Sequence, residues 1–329
     1  MFNPLKYFKN RSVGLALGSG GAKGLAHISV IEYLSSMNIP IDMIAGSSIG
    51  AVIGSIHCCG RLNEFKEDML GLSKKDMLSY FDITLPRSGL IKGKGFTNFM
   101  EKYIPADKMI EDLDIPLAIV ATDYFTGRPV VFKSGSILDA LRASVSIPGI
   151  LVPVAYNDSF LLDGGVARPL PVDVVKEMGA GLVIAVNLHP VKKKKTFKER
   201  VKITKDKPEE SEKKDSVKVV KYGEKILIPV ERKISGWYSS IEQWLGSGKS
   251  DGSVSFPSIF EILSQSIDIM SNINTERALN YHKPAVIIEP DLLHVGTLDF
   301  TMSSRIITEG YYACSREKKN IRRRVKLWL

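Results

Sequence analysis

Short apolar runs alternate with amphipathic segments over residues 12–190 of this chain. Continuous apolar runs, such as residues 12–17, are typical of strands buried on both faces of a parallel sheet. Between the runs, apolar residues recur every three or four positions, as at Ile28, Ile31 and Leu34, which predicts helices. The alternation predicts an α/β fold with a mostly parallel central sheet flanked by helices. The predicted strands cover residues 12–17, 41–45, 116–122, 129–133, 152–156, 160–162 and 181–188, and the predicted helices cover 25–37, 49–59, 62–78, 97–103, 136–145 and 171–178.

The pattern changes after residue 190. Residues 192–221 hold thirteen Lys or Arg and six Asp or Glu, with almost no aromatic residue, which predicts a mobile insertion or linker. The next stretch places Trp237, Tyr238 and Trp244 on one helical face, which fits either an interfacial membrane anchor or a helix docked on protein. Further helices are predicted at 256–281 and 302–318, with a strand at 284–289.

These changes divide the chain into five predicted regions. They are an N-terminal arm (1–11), an α/β core (12–190), a basic insertion with the amphipathic aromatic segment (191–255), C-terminal helices and a strand that complete the domain (256–315), and a basic amphipathic tail with Trp328 (316–329).

The composition is that of a globular protein with anionic partners. The chain has 329 residues, of which 44% are hydrophobic and 25% charged, and its net charge of +9 favours phospholipid head groups, nucleic acid or acidic substrates. Its three cysteines lack the spacing of a disulfide scaffold, which indicates a reducing compartment. We see no signal-peptide pattern and no apolar run of bilayer length, so the predicted location is cytoplasmic, with peripheral contact at the inner face of a membrane. No Cys/His cluster has metal-ligand spacing, and no metal or organic cofactor is expected.

The most informative motif is Gly-Ser-Ser-Ile-Gly at residues 46–50, with Ser48 at its centre. It reads G-x-S-x-G between a predicted strand and a predicted helix, which is the context of a nucleophile elbow. A side chain at Gly46 or Gly50 would crowd the tight turn that exposes the serine hydroxyl. The alternative is a glycine-rich turn that only joins the two elements.

A second glycine-rich turn, Gly-Ser-Gly-Gly-Ala-Lys-Gly, covers residues 18–24. It lies between a strand and a helix, so its N–H groups can converge on an anion. A dinucleotide fingerprint would need glycine where Lys23 stands, and a P-loop would need Ser or Thr after the lysine, so both nucleotide readings fail. Two interpretations of this loop remain: it binds an oxyanion, or it is only a tight turn.

Asp163 is the candidate general base. It directly follows a predicted strand, and Gly164 and Gly165 allow the backbone to turn its carboxylate into a cleft, although Asp-Gly-Gly also fits a simple turn. Its neighbours Phe160, Leu161 and Leu162 are apolar, so we expect burial to raise its pKa. A catalytic triad in the order Ser–Asp–His is an alternative, and its histidine would be His189, His282 or His294, although none of these lies in a motif. The other two histidines, His27 and His57, fit structural roles.

Taken together, these motifs resemble the patatin-like phospholipase family. The resemblance rests on the 18–24 loop, the Ser48 motif and Asp163-Gly164-Gly165 in that order, with support from Arg142-Ala143-Ser144…Pro148, and covers residues 12 to about 190. It implies a three-layer architecture and a Ser–Asp dyad without histidine. It also implies Ser48 as nucleophile, Asp163 as base and an oxyanion hole made by the glycine-rich loop. The residues carried over for the hole are Gly20, Gly21 and Lys23, with Gly18, Gly24, Gly46, Gly50, Gly164 and Gly165 as motif glycines; Lys23 stands where many members have arginine.

The resulting expectation is a lipid acyl hydrolase that acts on phospholipids or lysophospholipids through an acyl-serine intermediate. Two alternatives remain: transfer of the acyl group to an acceptor other than water, and a catalytically idle protein that binds membrane surfaces or nucleic acid through its basic segments. Intact Ser48 and Asp163 argue against an idle site. Basic runs without interleaved aromatic residues argue against single-stranded nucleic acid.

Overall fold

The fold is built on one mixed sheet with helices on both faces. The computed structural model describes residues 12–72, 92–189 and 259–328. The strands are β1 (Val13–Leu17), β2 (Met43–Ser47), β3 (Leu117–Asp123), β4 (Pro129–Phe132), β5 (Val154–Tyr156), β6 (Ser159–Asp163), β7 (Leu182–Val186) and β8 (Val286–Ile288). The helices are α1 (Ala26–Ser36), α2 (Ile49–Cys58), α3 (Leu62–Gly71), α4 (Lys94–Met100), α5 (Ile137–Ser144), α6 (Gly164–Ala167), α7 (Val172–Glu177), α8 (Ile259–His282) and α9 (Ser303–Trp328), with short 3-10 turns at Gly21–Leu25, Ile110–Asp112 and Phe300–Met302.

The sheet is parallel along most of its width and antiparallel at one side. Its order is β5-β6-β3-β2-β1-β7-β8, with β4 paired to β3. Strands β3, β2, β1, β7 and β8 run parallel, whereas β4, β5 and β6 pair in antiparallel fashion. The α/β prediction with a mostly parallel central sheet is therefore confirmed, and the hairpin predicted between β3 and β4 is present.

Two hydrophobic layers separate the sheet from its helices. On one face, Val13, Leu15 and Leu17 of β1 pack in a large core with α1, α2, α3 and α9. On the other face, Ala16 of β1 belongs to a smaller core to which α7 contributes Val174 and other residues. Successive strand residues point to opposite faces, so a continuous apolar run such as β1 supplies both cores. The result is the three-layer arrangement of helices, sheet and helices.

Several element boundaries differ from the predicted ones. The strand predicted at 41–45 is β2, Met43–Ser47, and the helix predicted at 62–78 ends as α3 at Gly71, because Leu72 is extended. The helix predicted at 97–103 is α4, Lys94–Met100, and its N-cap is Gly93 in the left-handed conformation. The helix predicted to end at 318 continues as α9 to Trp328, through the segment predicted as a tail. It continues because Ile321 and Val325 are buried at helical spacing and no proline or glycine interrupts the chain after Gly310.

Several predictions concern residues outside the described ranges. These are the arm at 1–11, residues 73–78 of the helix predicted at 62–78, the basic insertion at 191–255 with Trp237, Tyr238 and Trp244, and the side chain of Trp328. The described residues 12–189 and 263–328 belong to one compact unit. Among the described helices, none combines the length and apolar character needed to cross a bilayer.

Candidate active site

The sequence motifs converge at the carboxyl edge of the parallel strands. Leu17 at the end of β1 is in register with Gly46 of β2, so the 18–24 loop begins beside the Ser48 turn. Ser47 of β2 is in register with Val120 of β3, and one residue further along β3, Ala121 pairs with Asp163 at the end of β6. The topology therefore brings the glycine-rich loop after β1, Ser48 after β2 and Asp163 at the end of β6 to the same edge of the sheet, with β3 between β2 and β6.

Ser48 lies on a sharp turn between β2 and α2. Its φ of 54° and ψ of −125° are unusual for a residue with a side chain. Such a conformation costs about 1–3 kcal/mol and persists only where the surroundings enforce it. A Cβ at Gly46 would lie 2.4 Å from the Ala51 nitrogen, and one at Gly50 would lie 2.3 Å from the Leu17 carbonyl oxygen. Only glycine fits at these two positions, and the turn holds the serine in a strained geometry.

The hydroxyl of Ser48 is bonded directly to the carboxylate of Asp163. Ser48 Oγ donates to Asp163 Oδ2 at 2.6 Å, and the backbone N–H of Gly165 donates to Asp163 Oδ1 at 2.7 Å. Thr122 Oγ1 donates to the backbone oxygen of Asp163 at 2.8 Å. Both ends of the carboxylate and the backbone that carries it are therefore fixed, with one oxygen aimed at the serine proton.

Burial makes Asp163 a stronger base than a carboxylate in water. Only 6% of the residue is exposed, and desolvation raises its pKa from 3.8 to about 6. The hydrogen bonds from Ser48 and Gly165 act in the opposite direction but are outweighed. The pKa is raised, as we expected from the apolar neighbours of Asp163; of these, Leu161 is buried, whereas Phe160 is exposed. A pKa near 6 suits a base that must be ionised, yet able to take a proton, near neutral pH.

The end of α5 holds both members of this pair by their backbones. The N–H of Ser48 donates to Ser144 Oγ at 2.9 Å, and Ser144 Oγ donates to the Val120 carbonyl at 2.6 Å. Two residues later, the Ser146 carbonyl accepts the Asp163 N–H at 2.9 Å. Arg142 secures this segment through its guanidinium, which donates to Ser146 Oγ and to the Val152 carbonyl. The Arg-Ala-Ser block thus acts as a positioning segment.

Replacing Ser144 with alanine is expected to slow the reaction of Ser48 by about tenfold or more, because the buried Ser48 N–H loses its acceptor. The rate at which a fluorophosphonate probe labels Ser48 measures this effect. Ser55→Ala is the matched control, since it removes an equally buried hydroxyl that has no hydrogen-bond partner among the described atoms. Equal labelling rates for the two variants would show that Ser144 does not position the nucleophile.

The glycine-rich loop packs against both members of the pair. A Cβ at Gly24 would lie 2.2 Å from the side chain of Ile49, the residue after Ser48, and a Cβ at Gly165 would lie 2.8 Å from Ser19 Oγ. The described hydrogen bonds include acceptors for the N–H groups of Gly18, Ser19 and Ala22, but none for Gly20 or Gly21. Two backbone donors of this loop are therefore available beside the Ser48 turn.

Two buried histidines hold the carbonyl groups of this loop. His27 Nε2 donates to the Gly18 carbonyl at 2.8 Å, and the backbone of Ser19 accepts a hydrogen bond from the His189 ring. Burial lowers the pKa of each imidazole to about 4, so both are neutral near neutral pH. In a trans peptide the carbonyl and the N–H point in opposite directions. Fixing the Gly18 and Ser19 carbonyls therefore turns the N–H groups of Ser19 and Gly20 away from the histidines.

None of the candidate histidines contacts the Ser48–Asp163 pair within the described residues. The ring of His189 lies against the loop, His294 is exposed, and His282 ends α8 with its carbonyl bonded to Lys176. The same part of the chain contains no group of His, Cys, Asp or Glu suited to a metal ion. The groups that the structure brings together here are a serine hydroxyl and a carboxylate.

Sequence reasoning missed three residues of this site: Ser144, Thr122 and His27 as a support of the loop. For Ser144 a signal existed, because it belongs to the Arg142-Ala143-Ser144 block that supports the family resemblance, although the resemblance gives that block no role. For Thr122 the signal in the sequence was weaker: a hydroxyl in an otherwise apolar strand needs a hydrogen-bond partner when it is buried. His27 carried none, because its contact with Gly18 depends on the turn between β1 and α1.

Comparison with known proteins connects this geometry to a family. Residues 15–176 match the sequence profile of the family described as patatin-like phospholipase. An uncharacterized NTE family protein of Mycobacterium tuberculosis is 40% identical over 177 residues, which cover 54% of this chain and 49% of that protein. Lysophospholipase nte1 of Aspergillus fumigatus is 29% identical over 309 residues, which cover 92% of this chain and 18% of that protein.

The other similarities either cover a smaller share of the relative or are weaker. Patatin-like phospholipase domain-containing protein 6 of Mus musculus is 33% identical over 183 residues, 54% of this chain and 13% of that protein. The chain spans about half the length of the mycobacterial relative and much less of the other two. Among solved structures, VipD from Legionella pneumophila is similar with a TM-score of 0.43 and 13% identity, over 94% of this chain and 66% of VipD, which is too weak a likeness to bear on function.

Proposed function

We propose that the protein is a serine acyl hydrolase that cleaves acyl ester bonds of phospholipids or lysophospholipids, on the basis that its residues 15–176 match the patatin-like phospholipase family. The observation that carries the proposal is the 2.6 Å hydrogen bond from Ser48 Oγ to Asp163 Oδ2. It joins a strained, glycine-flanked serine to a buried carboxylate of raised pKa. This is the pairing of nucleophile and base that acyl transfer requires.

In the proposed reaction, Ser48 Oγ attacks the ester carbonyl carbon while Asp163 takes the hydroxyl proton. The tetrahedral intermediate collapses, the C–O bond to the leaving alcohol breaks, and Asp163 returns the proton to that alcohol. Water then attacks the acyl-Ser48 ester, with Asp163 again acting as base. The fatty acid leaves and the Ser48 hydroxyl is restored. The cycle needs no metal or organic cofactor.

The proposed oxyanion hole is the loop that contains Gly20, Gly21 and Lys23, together with the start of α2. The N–H groups of Gly20 and Gly21 have no acceptor in the described hydrogen bonds, and neither do those of Ile49 and Gly50, the first two residues of α2. The neutral histidines behind the loop support this assignment, because they hold its carbonyls away from the developing negative charge. Loss of one such donor typically costs about 10²–10³ in rate.

The surface beside the site supports a substrate presented by a lipid aggregate. The aromatic cluster of Tyr124, Phe125 and Phe160 has 55%, 67% and 46% of its residue surfaces exposed, and its three rings contact one another. Phe160 precedes Asp163 by three residues on β6, which corresponds to about 10 Å along a strand. Exposed aromatic clusters of this kind favour a membrane–water interface. We therefore propose that the protein makes peripheral contact with a membrane. The unpaired cysteines fit a reducing compartment, so the proposed contact is at the inner face of the membrane. We propose no nucleic acid partner.

The direct test is release of fatty acid from micelles of lysophosphatidylcholine and of phosphatidylcholine by the wild-type protein. Release into water supports the hydrolase. Formation of a new ester with an added acyl acceptor, in place of free fatty acid, would instead show acyl transfer. No turnover of any lipid by folded protein would contradict both and favour an idle surface-binding protein.

The pH dependence of this activity is expected to report Asp163. Its carboxylate must be ionised to accept the serine proton, and its pKa is raised to about 6, so kcat/KM should fall as the pH drops through about 6. Below that value the fall should approach about tenfold per pH unit. A profile that stays flat down to the ordinary carboxylate range would contradict the assignment of Asp163 as base. Circular dichroism at each pH separates this effect from unfolding.

A further inference from the structure

The C-terminal end of α9 presents a strongly cationic surface. Between residues 316 and 326 the chain has seven Lys or Arg and one acidic residue, Glu317, whose carboxylate accepts a hydrogen bond from Asn320. Arg316 pairs with Glu309. The other six side chains are exposed, and none of them forms an ion pair with any part of the chain that the structure describes. We call this set the basic face; it consists of Lys318, Lys319, Arg322, Arg323, Arg324 and Lys326.

Packing fixes the direction in which the basic face points. Ile321 and Val325 lie between the cationic residues in sequence, and both are buried in the large hydrophobic core. Their spacing of four residues puts them on one side of the helix. Since that side is anchored, the cations must project from the remaining surface into solvent. The charge is therefore displayed by the folded domain itself.

The arrangement is unfavourable for an isolated domain. Lys318 and Arg322, Lys319 and Arg323, and Arg322 and Lys326 are like-charged pairs at helical i, i+4 spacing, which destabilises a helix. The negative end of the helix dipole offsets part of this repulsion. No carboxylate of the described residues offsets the rest. A concentration of unpaired positive charge on the solvent-exposed side of an anchored helix is what an anionic partner would neutralise.

We propose that the basic face docks the enzyme on an anionic phospholipid surface. This inference rests on the proposed function, which requires the protein to reach lipid aggregates, and it adds the charge of the surface that is selected. Clusters of Lys and Arg bind anionic bilayers with a free energy that grows with each basic side chain near the surface. Nucleic acid is the competing anion, but no aromatic side chain is interleaved with the basic residues to stack on bases.

The test is co-flotation of the full chain with phosphatidylcholine vesicles, with and without phosphatidylglycerol, at low and high salt. We compare the wild type with Arg322→Glu/Arg323→Glu/Arg324→Glu. The matched control is Lys94→Glu/Lys133→Glu/Arg277→Glu, which changes the net charge equally at exposed positions elsewhere. Thermal unfolding and hydrolysis of a soluble acyl ester by all three proteins monitor folding and the active site.

The expected result is binding to phosphatidylglycerol vesicles that falls about a hundredfold or more in the basic-face variant, is lost at high salt and is retained by the control variant. Hydrolysis of the soluble ester should be equal in all three. Equal partitioning of the two variants, or wild-type binding that does not depend on phosphatidylglycerol, would overturn the proposal. So would preferential binding to a DNA duplex over the anionic vesicles. Failure to hydrolyse the soluble ester while vesicle binding persists would refute the proposed function and leave the docking surface standing.

Discussion

Replacing Ser48 with alanine is expected to abolish acyl-ester turnover, and replacing Asp163 with asparagine is expected to lower kcat by a factor on the order of 10⁴. Without the Ser48 hydroxyl there is no atom to carry the acyl group. Asparagine can preserve the geometry, because its amide oxygen can accept from Gly165 and its amide nitrogen can donate to Ser48, but it cannot take a proton. Steady-state hydrolysis of a soluble acyl ester measures both effects.

Two controls make this result specific. Ser47→Ala removes the neighbouring buried hydroxyl, which has no hydrogen-bond partner among the described atoms, and should retain activity near that of the wild type. Asp163→Asn should be no less stable than the wild type above pH 6, because a carboxylate whose pKa is raised by burial destabilises the folded state once it is ionised. An Asp163→Asn variant with activity within tenfold of the wild type would move the role of base to another group, with His189 the first to examine.

The second large effect is expected at Gly50. A Cβ there would lie 2.3 Å from the Leu17 carbonyl oxygen and 2.8 Å from that of Gly18, both backbone atoms that cannot rotate away. Gly50→Ala should therefore destabilise the protein by about 2–3 kcal/mol or push the glycine-rich loop out of position. In either case we expect activity to fall by about a hundredfold or more, since the loop supplies the proposed oxyanion donors.

Gly71→Ala is the matched control for this change. Gly71 also lies in a helix, α3, but an added Cβ meets nothing within 4 Å. The alanine should be neutral or stabilise the protein by up to about 1 kcal/mol, through its better helix propensity. Thermal unfolding and ester hydrolysis of both variants give the comparison. If Gly50→Ala behaved like Gly71→Ala in both assays, the close approach of α2 to the glycine-rich loop would not matter for function.

Sequence patterns were sufficient for the sheet because its strands are buried on both faces. The continuous apolar runs at β1, β2, β3 and β7 have no other reasonable interpretation at that length, and the glycine positions marked the turns between them. Helix ends were less predictable, as at α4, because a glycine cap can start a helix several residues before its apolar pattern is evident. In the tail, Ile321 and Val325 already stand at helical spacing in the sequence, but their burial in the large core, which makes the tail part of α9, depends on residues far away in the chain.

The candidate site also has one part that the sequence predicts and another that only the structure shows. Ser48 and Asp163 stand in short motifs whose spacing is local, so the sequence pointed to them, and the structure adds the hydrogen bond that joins them. The supporting residues act across the fold: Ser144 contacts a residue 96 positions away, and Thr122 one that is 41 positions away. Interactions of this range depend on sheet order and register. They become visible only when the strands are assembled.

Labelling with a fluorophosphonate probe, followed by peptide mapping, tests the central claim that Ser48 is a nucleophile activated by Asp163. We predict a single adduct on the peptide that carries Ser48 in the wild type, no adduct in Ser48→Ala, and labelling slowed by about a hundredfold or more in Asp163→Asn. An adduct on any other residue would contradict the account. So would labelling of Asp163→Asn at the wild-type rate.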